Sequence, residues 1–397
     1  MTSAYTCPTC NSLNIEVFFA LTDVPVFCNV LWRSKEEAMG CERGDIKLAF
    51  CHDCSMINNA AFDPTLVQYS REYENSLHFS PRFQDYATNL AKKLIDRFDL
   101  RGKHIVEIGC GKGDFLSMLC EMGGNHGIGF DPSYEQERTQ SETAKRITFI
   151  QDYYSEQYAD CDCDFLCCRH MLEHLENPRA FLEAVRRTLG SRRETIVFFE
   201  VPNALFTLRD MAIWDIIYEH CLYFTPESLA ALFSTCGFDV LNVDKAYEGQ
   251  FLVLEAVARK NIQEPRPVEN KKLQQISGDV REFRANYERK KQTWLKRLRR
   301  IQTTGQKAVI WGSGSKGVTF LNALKIRNKI EYAVDINPHK QGKFVAGTGQ
   351  KIVPPSFLQL YQPDVIVVMN PIYKKEISQQ VKSLGVAAEL LVDDASI

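Results

Sequence analysis

The sequence predicts an α/β protein with a parallel sheet covered by helices on both faces, a small metal-binding unit before it and a second, Rossmann-like α/β unit after it. Three observations predict this. Short apolar strands alternate with helical periodicity from residue 104 to 257. Glycine-rich turns at 109–113 and 312–317 each stand between a strand and a helix. Two Cys-x-x-Cys pairs precede the alternation.

Composition narrows the class. The chain has 397 residues, 45% hydrophobic and 25% charged, as in a soluble globular protein of several domains. A net charge of −2 gives no electrostatic case for nucleic acid or an anionic membrane as partner. The opening residues hold no basic region followed by an apolar run, and no stretch of about 18 apolar residues occurs, so neither a signal peptide nor a membrane helix is expected. Fourteen cysteines, with Cys167 and Cys168 adjacent in a strand-like run, fit a reducing, cytoplasmic setting.

In order, residues 1–70 form the metal-binding unit, 71–257 the main sheet, 258–305 a helical linker and 306–397 the C-terminal unit. Apolar residues recur at helical spacing from Ser80 to Phe98. Strands are expected at 104–109, 126–131, 147–151, 164–168, 195–200, 238–244 and 250–257, the last two as an antiparallel hairpin. Helices are expected at 113–123, 135–145, 178–189 and 226–236. The stretch 258–305 is charged and periodic around Leu273, Ile276, Val280, Phe283, Tyr287 and Trp294, which predicts one long helix or a pair. Strands at 307–311, 331–335 and 364–369 then begin the last unit.

Cys7, Cys10, Cys51 and Cys54 make two pairs with 40 residues between them. Two thiolates three residues apart can grip one tetrahedral ion, and two such pairs close a structural zinc site. Cys41 or His52 could replace one ligand.

The run from His104 through Glu107, Gly109, Cys110, Gly111 and Gly113 to Leu116, followed by Gly127 to Asp131, places a strand, a glycine turn, a helix and a second strand ending in an acid. Its E-x-G-x-G-x-G spacing resembles motif I of class I S-adenosylmethionine-dependent methyltransferases. That resemblance implies a Rossmann-like methyltransferase sheet with S-adenosylmethionine as cofactor. Glu107 would orient the loop or meet the methionine ammonium, Gly109, Cys110 and Gly111 would let backbone approach, and Asp131 would take the ribose. Asp152 ends the next strand near the adenine, and Arg169 ends the fourth strand beside the cofactor.

On the acceptor side, Tyr218-Glu219-His220 precedes a helix start at Thr225, and His174 is expected on the helix after the fourth strand. Tyr73 closes the run from Tyr69 ahead of the first methyltransferase helix. A histidine supported by a carboxylate and phenols suits proton removal from a carbon acid.

The order of these parts, with Gly312 to Gly317, Val334 to Pro338, Lys340 to Lys343, Gly347-Thr348 and Asn370 to Glu376, resembles the nucleotide-sugar C-methyltransferases, which methylate carbon 3 of 4-keto-6-deoxy sugars. The resemblance implies His220 as base, Tyr218 and Glu219 as supporting groups, and His174 and Tyr73 near a nucleotide-sugar substrate. Two segments depart from that family: Arg71 to Ser80 keeps only Tyr73 of a tyrosine- and serine-rich run, and Val318 to Asn322 replaces an asparagine-threonine-leucine run. These departures leave open O- or N-methylation of another small metabolite, and a non-catalytic cofactor-binding scaffold.

The second glycine turn is a G-x-G-x-x-G with Asp335 ending the next strand. Read alone it suits NAD, a substrate's phosphates at a helix N-terminus, or a purely structural turn. The family resemblance implies the second, with Gly314, Ser315, Lys316, Asn337 and Lys340 on the substrate.

Overall fold

The computed structural model describes residues 5–67, 72–134, 146–259, 268–326 and 329–393. The helix expected at 135–145 and Tyr69 to Arg71 lie outside them. The N-terminal part holds β1 (Ile15–Pro25), α1 (Lys35–Met39), β2 (Arg43–Cys51) and β3 (Ile57–Asn59). β1 and β2 pair antiparallel from Ile15 opposite Cys51 to Pro25 opposite Arg43.

The central part runs α2 (Pro81–Phe98), β4 (His104–Ile108), α3 (Asp114–Gly123), β5 (His126–Phe130), β6 (Ile147–Ile150), β7 (Phe165–Arg169), α4 (Pro178–Leu189) and β8 (Ile196–Pro202). It continues through α5 (Ala204–Arg209), β9 (Leu222–Tyr223), α6 (Pro226–Thr235), β10 (Phe238–Ala246) and β11 (Phe251–Ala258). Caps fix the helix starts: Ser80 for α2, Asn177 for α4 and a Thr225–Ser228 capping box for α6, each followed by proline. The seven-stranded sheet has the order β10-β11-β8-β7-β4-β5-β6. Strands from β6 across to β8 are parallel, and β11 turns antiparallel against both β8 and β10, as the expected hairpin requires. Chain order reverses at β4, so a crevice opens above β4, β5 and β7 where their loops diverge. This is the Rossmann-like methyltransferase sheet that the sequence predicts.

β9 leaves this sheet. It pairs antiparallel with β3 and completes a four-stranded N-terminal sheet, β1-β2-β3-β9. The Tyr-Glu-His segment is thereby held against the N-terminal part.

Two glycine positions set the cofactor turn. A Cβ on Gly129 in β5 would meet Cys110 Sγ at 2.8 Å and Phe149 and Leu116 near 3 Å, so glycine lets turn and helix close onto the strand. Gly113 caps α3 with φ +83°, and a Cβ there would lie 2.5 Å from the Phe149 ring. Gly113→Ala combines left-handed strain with overpacking and should cost roughly 2–5 kcal/mol, read as a lower denaturant midpoint at unchanged slope.

α7 (Asn270–Thr303) is one uninterrupted helix. At 1.5 Å per residue it reaches about 50 Å. Its buried face (Ile276, Val280, Phe283, Tyr287, Trp294, Leu298, Ile301) follows the expected periodicity. Phe283 and Tyr287 pack on Phe19 of β1 at 5.2 and 4.6 Å. The C-terminal unit adds β12 (Ala308–Trp311), α8 (Ser315–Ala323), β13 (Tyr332–Val334), β14 (Lys351–Val353), α9 (Leu358–Tyr361), β15 (Val365–Val368), α10 (Lys374–Ser383) and β16 (Glu389–Val392). Its sheet is parallel throughout, in the order β14-β13-β12-β15-β16. Lys290, on the apolar face of α7, donates to Met211 O at 2.8 Å and meets Asp393 at 3.1 Å, while Trp294 donates to the same carboxylate at 2.7 Å. One core therefore joins β1, β2, α5, α7 and α8. Among the described residues, no helix is long and apolar enough to cross a membrane. All fourteen cysteines are free thiols.

Candidate active site

The crevice above β4 begins at Gly109 and Gly111, both in left-handed backbone (φ +69° and +55°). A Cβ on Gly111 would meet nothing within 4 Å, so the loop there faces open space that a ligand can enter. Asp131, directly after β5, accepts from Gly111 N–H at 2.9 Å and from Ser133 N–H and hydroxyl at 2.7 and 2.6 Å. The acid expected at the ribose thus also braces the glycine turn. Asp335 repeats this in the C-terminal unit, accepting from Ser313 N–H at 3.0 Å and Asn337 N–H at 2.9 Å. Asp152, after β6, is held by Tyr158 hydroxyl at 2.8 Å and Gln157 at 3.0 Å. Cys110 is buried beneath the turn.

Glu107 at the end of β4 is buried, and its Oε2 has no hydrogen-bond partner among the described residues. Burial lifts its pKa to about 8, against the opposing pull of Arg169. A buried carboxyl with one oxygen unpartnered beside an open glycine loop fits the ammonium of a bound cofactor. At neutral pH the free protein holds this carboxyl protonated, and a cationic ligand favours its ionised form. Cofactor affinity should therefore rise about tenfold per pH unit up to pH 8 and level off above it. Glu107→Gln should flatten that slope, and calorimetry in buffers of different ionisation heat should show proton release only for the native residue.

Arg169 is not free at the end of β7. Its guanidinium donates to Glu200 at 2.8 Å and stacks on Phe115 at 4.0 Å. Glu200 also receives the Tyr86 hydroxyl and pairs with His170 Nε2 at 2.7 Å. Burial would raise the Glu200 pKa, but Arg169 and His170 hold it at about 2. Burial alone would lower His170, and the Glu173 and Glu200 carboxylates outweigh it, lifting it to about 9. His170 sits in left-handed backbone at φ +53°, a conformation a histidine adopts only when its surroundings dictate it. Glu200, Tyr86 and Glu173 received no role from the sequence. The available signal was a lone glutamate inside the apolar run Ile196–Pro202, since a carboxylate in a central strand must have a buried partner.

The Tyr-Glu-His segment lies over the turn Leu172–His174, a single 3₁₀ turn and not the helix expected there; α4 starts only at Pro178, behind the Asn177 cap. His174 Nδ1 lies 2.9 Å from Glu219 O, and its ring centroid is 4.9 Å from that of His220. Glu219 is fully buried, accepts from Cys28 N–H at 2.8 Å and hydrogen-bonds the Tyr73 side chain. Burial pushes its pKa up against those partners. His220 is held well below the usual imidazole range, first by burial and then by the positive charges of His174, His170 and Lys316. It is neutral at physiological pH, the form that accepts a proton. Tyr73, His174, Glu219 and His220 are thus brought together. Tyr218 is not with them: its ring packs where a Gly44 Cβ would lie (2.3 Å), and its hydroxyl accepts from Asp63 N–H at 2.9 Å. In an irregular segment consecutive side chains point in different directions, and Tyr218 takes the one into the N-terminal core.

The second glycine turn closes the far wall. Lys316 forms an ion pair with Asp215, and its charge reaches His220. Ser315 opens α8 behind the Gly314 cap. Lys340 Nζ donates to Asn29 Oδ1 at 3.0 Å, next to Gly314, and Asn337 Nδ2 donates to Glu74 Oε1 at 3.1 Å, one residue from Tyr73. Lys316, Lys340 and Asn337 therefore gather around the segments that carry Cys28, Tyr73 and His220.

The four N-terminal thiols also converge. Cys7 Sγ lies 3.5 Å from Cys54 Sγ, Cys10 Sγ lies 3.5 Å from Cys51 Sγ, and all four are within 4.8 Å of one another. Both pairs use the same turn: Asn11 N–H bonds Cys7 O and Ser55 N–H bonds Cys51 O, each at 2.9 Å, with Asn11 and Ser55 both left-handed. This donor set can hold one metal ion. His52 instead pairs with Glu16 at 3.2 Å, and Cys41 lies outside the cluster.

Comparison with known proteins follows this layout. A model of the methyltransferase domain matches residues 81–243, and a model of the C-methyltransferase C-terminal domain matches residues 255–390. The C-methyltransferase NovU of Streptomyces niveus is 26% identical over 219 residues, covering 53% of this chain and 51% of that protein, so the match spans about half of the relative's length. An O-methyltransferase family protein from Burkholderia thailandensis aligns with a TM-score of 0.35 at 13% identity, covering 45% of this chain and 59% of that one. Magnesium protoporphyrin IX methyltransferase from Synechocystis PCC 6803, solved with bound SAH, aligns with a TM-score of 0.34 at 17% identity, covering 45% and 84%.

Proposed function

We propose, from the premise that this chain belongs to the S-adenosylmethionine-dependent methyltransferases and carries a C-methyltransferase C-terminal domain, that it methylates carbon 3 of a 4-keto-6-deoxy sugar carried on a nucleotide. The observation that carries this reading is the meeting of a half-buried histidine pair with a basic glycine turn: His174 and His220, ring centroids 4.9 Å apart, beside Lys316, with Lys340 and Asn337 one strand away. A ketone acidifies the neighbouring C–H, and a positioned imidazole suits removal of that proton.

S-adenosylmethionine would be held by Glu107, Gly109, Cys110, Gly111, Asp131 and Asp152, with Arg169 beside them on Glu200, and would supply an electrophilic methyl group whose bond to sulfur breaks on transfer, the sulfur keeping the electron pair as a neutral thioether. The neutral His220 takes the proton from the carbon next to the ketone. The electron pair moves to the carbonyl oxygen, and the resulting enolate carbon forms the new bond to the methyl. The proton then leaves the imidazolium to solvent. Glu219, with the Tyr73 hydroxyl on it, fixes the segment that carries His220, and its carbonyl fixes His174. Tyr218 acts as a buried anchor of the same segment. Lys316, Lys340, Asn337 and the 314–315 backbone face the nucleotide's phosphates and sugars. Zinc in the four-cysteine cluster is structural, since four thiolates leave no position open. Fourteen cysteines without a disulfide among them suit the cytosol.

Incubation with ¹³C-methyl cofactor and 4-keto sugar nucleotides should give a product whose methyl carbon couples directly to a ring carbon. A methyl found on oxygen or nitrogen refutes the reading.

A further inference from the structure

We infer that His78 is a cofactor-binding residue, whose imidazole donates a hydrogen bond to the amino-acid carboxylate of the bound cofactor. The inference rests on the cofactor half of the proposed function and not on the acceptor.

His78 lies on a strap, Glu72 to Ser80, that leads from the N-terminal part to the start of α2. Both flanking units hold this strap. On the N-terminal side, Glu74 N–H donates to Asn29 O at 2.9 Å, Leu31 N–H donates to Glu72 O at 3.1 Å, and Tyr73 bridges antiparallel to Val30. From the C-terminal unit, Asn337 donates to Glu74, the His339 ring lies 5.8 Å from that of Phe79, and Glu376 accepts from the Ser80 hydroxyl at 2.8 Å. The strap delivers side chains to two places. Tyr73 goes to Glu219, beside His220, and His78 goes to the glycine turn.

The backbone of His78 is fixed, its carbonyl accepting from Gln84 of α2 at 2.5 Å, and its half-buried ring packs edge-on against Phe83 at 5.1 Å. Its ring nitrogens make no hydrogen bond or ion pair among the described residues. Two charged side chains act on the ring: Asp114, which opens α3 directly after the glycine turn, and Arg169 at the end of β7. The same two act on Glu107, so His78 and Glu107 border one stretch of the crevice. The amino-acid end of the cofactor carries an ammonium and a carboxylate. Glu107 suits the first, and the second needs a donor. Arg169 already serves Glu200 and the Phe115 ring, and Lys112 Nζ donates to Ser133 O at 3.0 Å. His78 supplies the donor. Burial, with Arg169, holds its imidazole below the usual range against the pull of Asp114, so the donor is a neutral N–H that a carboxamide can copy.

The test is calorimetry of full-length protein with two ligands, S-adenosylhomocysteine and its decarboxylated analogue, 5′-(3-aminopropylthio)-5′-deoxyadenosine. The native protein should prefer the first by about 10–100-fold, the scale of one hydrogen bond to a charged group. H78F keeps a ring against Phe83 but should bind the two ligands alike, and H78Q should restore most of the preference. H78A replaces H78F should that variant not fold. A merely structural role would weaken both ligands by the same factor, and that result overturns the proposal. So does a native protein without preference, or an H78F variant that keeps it. Should the native protein bind neither ligand, the cofactor reading itself fails and takes the proposal with it; binding of both alike removes the carboxylate contact only.

Discussion

His220→Asn should lower methyl transfer by about 10²–10⁴-fold, the range that a positioned general base contributes. Cofactor affinity should stay near that of the native protein, because the cofactor turn lies on β4 and β5, on separate elements from residues 218–223. The variant should also lose exchange of the substrate's acidic proton with deuterated solvent, which reports proton removal without methyl transfer. The pH profile offers a second check. A base must be unprotonated, and the His220 pKa is depressed below the usual imidazole value by burial and by His174, His170 and Lys316. With cofactor saturating, the acid limb of kcat/KM for the acceptor should therefore fall at lower pH than for a free imidazole, and that profile should be flat through neutrality. Full turnover or unaltered exchange in the variant would place the base elsewhere.

The second large effect is expected from Cys51→Ser combined with Cys54→Ser. Structural zinc contributes on the order of 10–16 kcal/mol in isolated zinc-finger peptides, comparable to or larger than the net stability of a whole domain. Loss would spread beyond the cluster. Ser55 Oγ lies 2.8 Å from Thr225 Oγ1 at the cap of α6, and β3 pairs with β9 through Ile57 opposite Tyr223. Those contacts brace both ends of the segment leading from His220. The double variant should bind no metal, melt well below the native protein or fail to accumulate, and lose methyl transfer. A variant that keeps native melting and one bound metal would show that the cluster is not the zinc site.

Much of the fold was legible because its signals are local. The 2- and 3.6-residue periods of β4 to β8 and α7 lie within single elements, and the turn from Gly109 to Gly113 is contiguous. The glycine turn after β4 and the acid after β5 could accordingly be found from motif and spacing. The residues that meet around His174 could be found only in part. Residues 218–220 are adjacent in sequence, but their side chains part company: Tyr218 goes to Asp63, Glu219 to Cys28 and His220 to His174. No periodicity fixes direction in such a segment, so the motif could not show which of the three side chains meets His174. The ion cluster of Arg169, His170 and Glu200 was hidden for a related reason, since its members come from the end of one strand and the interior of another and meet only when β7 pairs with β8.

By itself, then, the sequence determined the alternation of elements, the cysteine cluster and the first glycine turn, all of which rest on neighbours within a few residues or on a repeated spacing. The tertiary structure alone decided that β9 joins the N-terminal sheet, that Glu219 receives Cys28 from 191 residues away, and that the C-terminal turn brings Lys316 toward His220. Those arrangements depend on burying one shared core across the N-terminal sheet, α7 and the C-terminal unit. Burial acts through space, and its partners carry no mark along the chain.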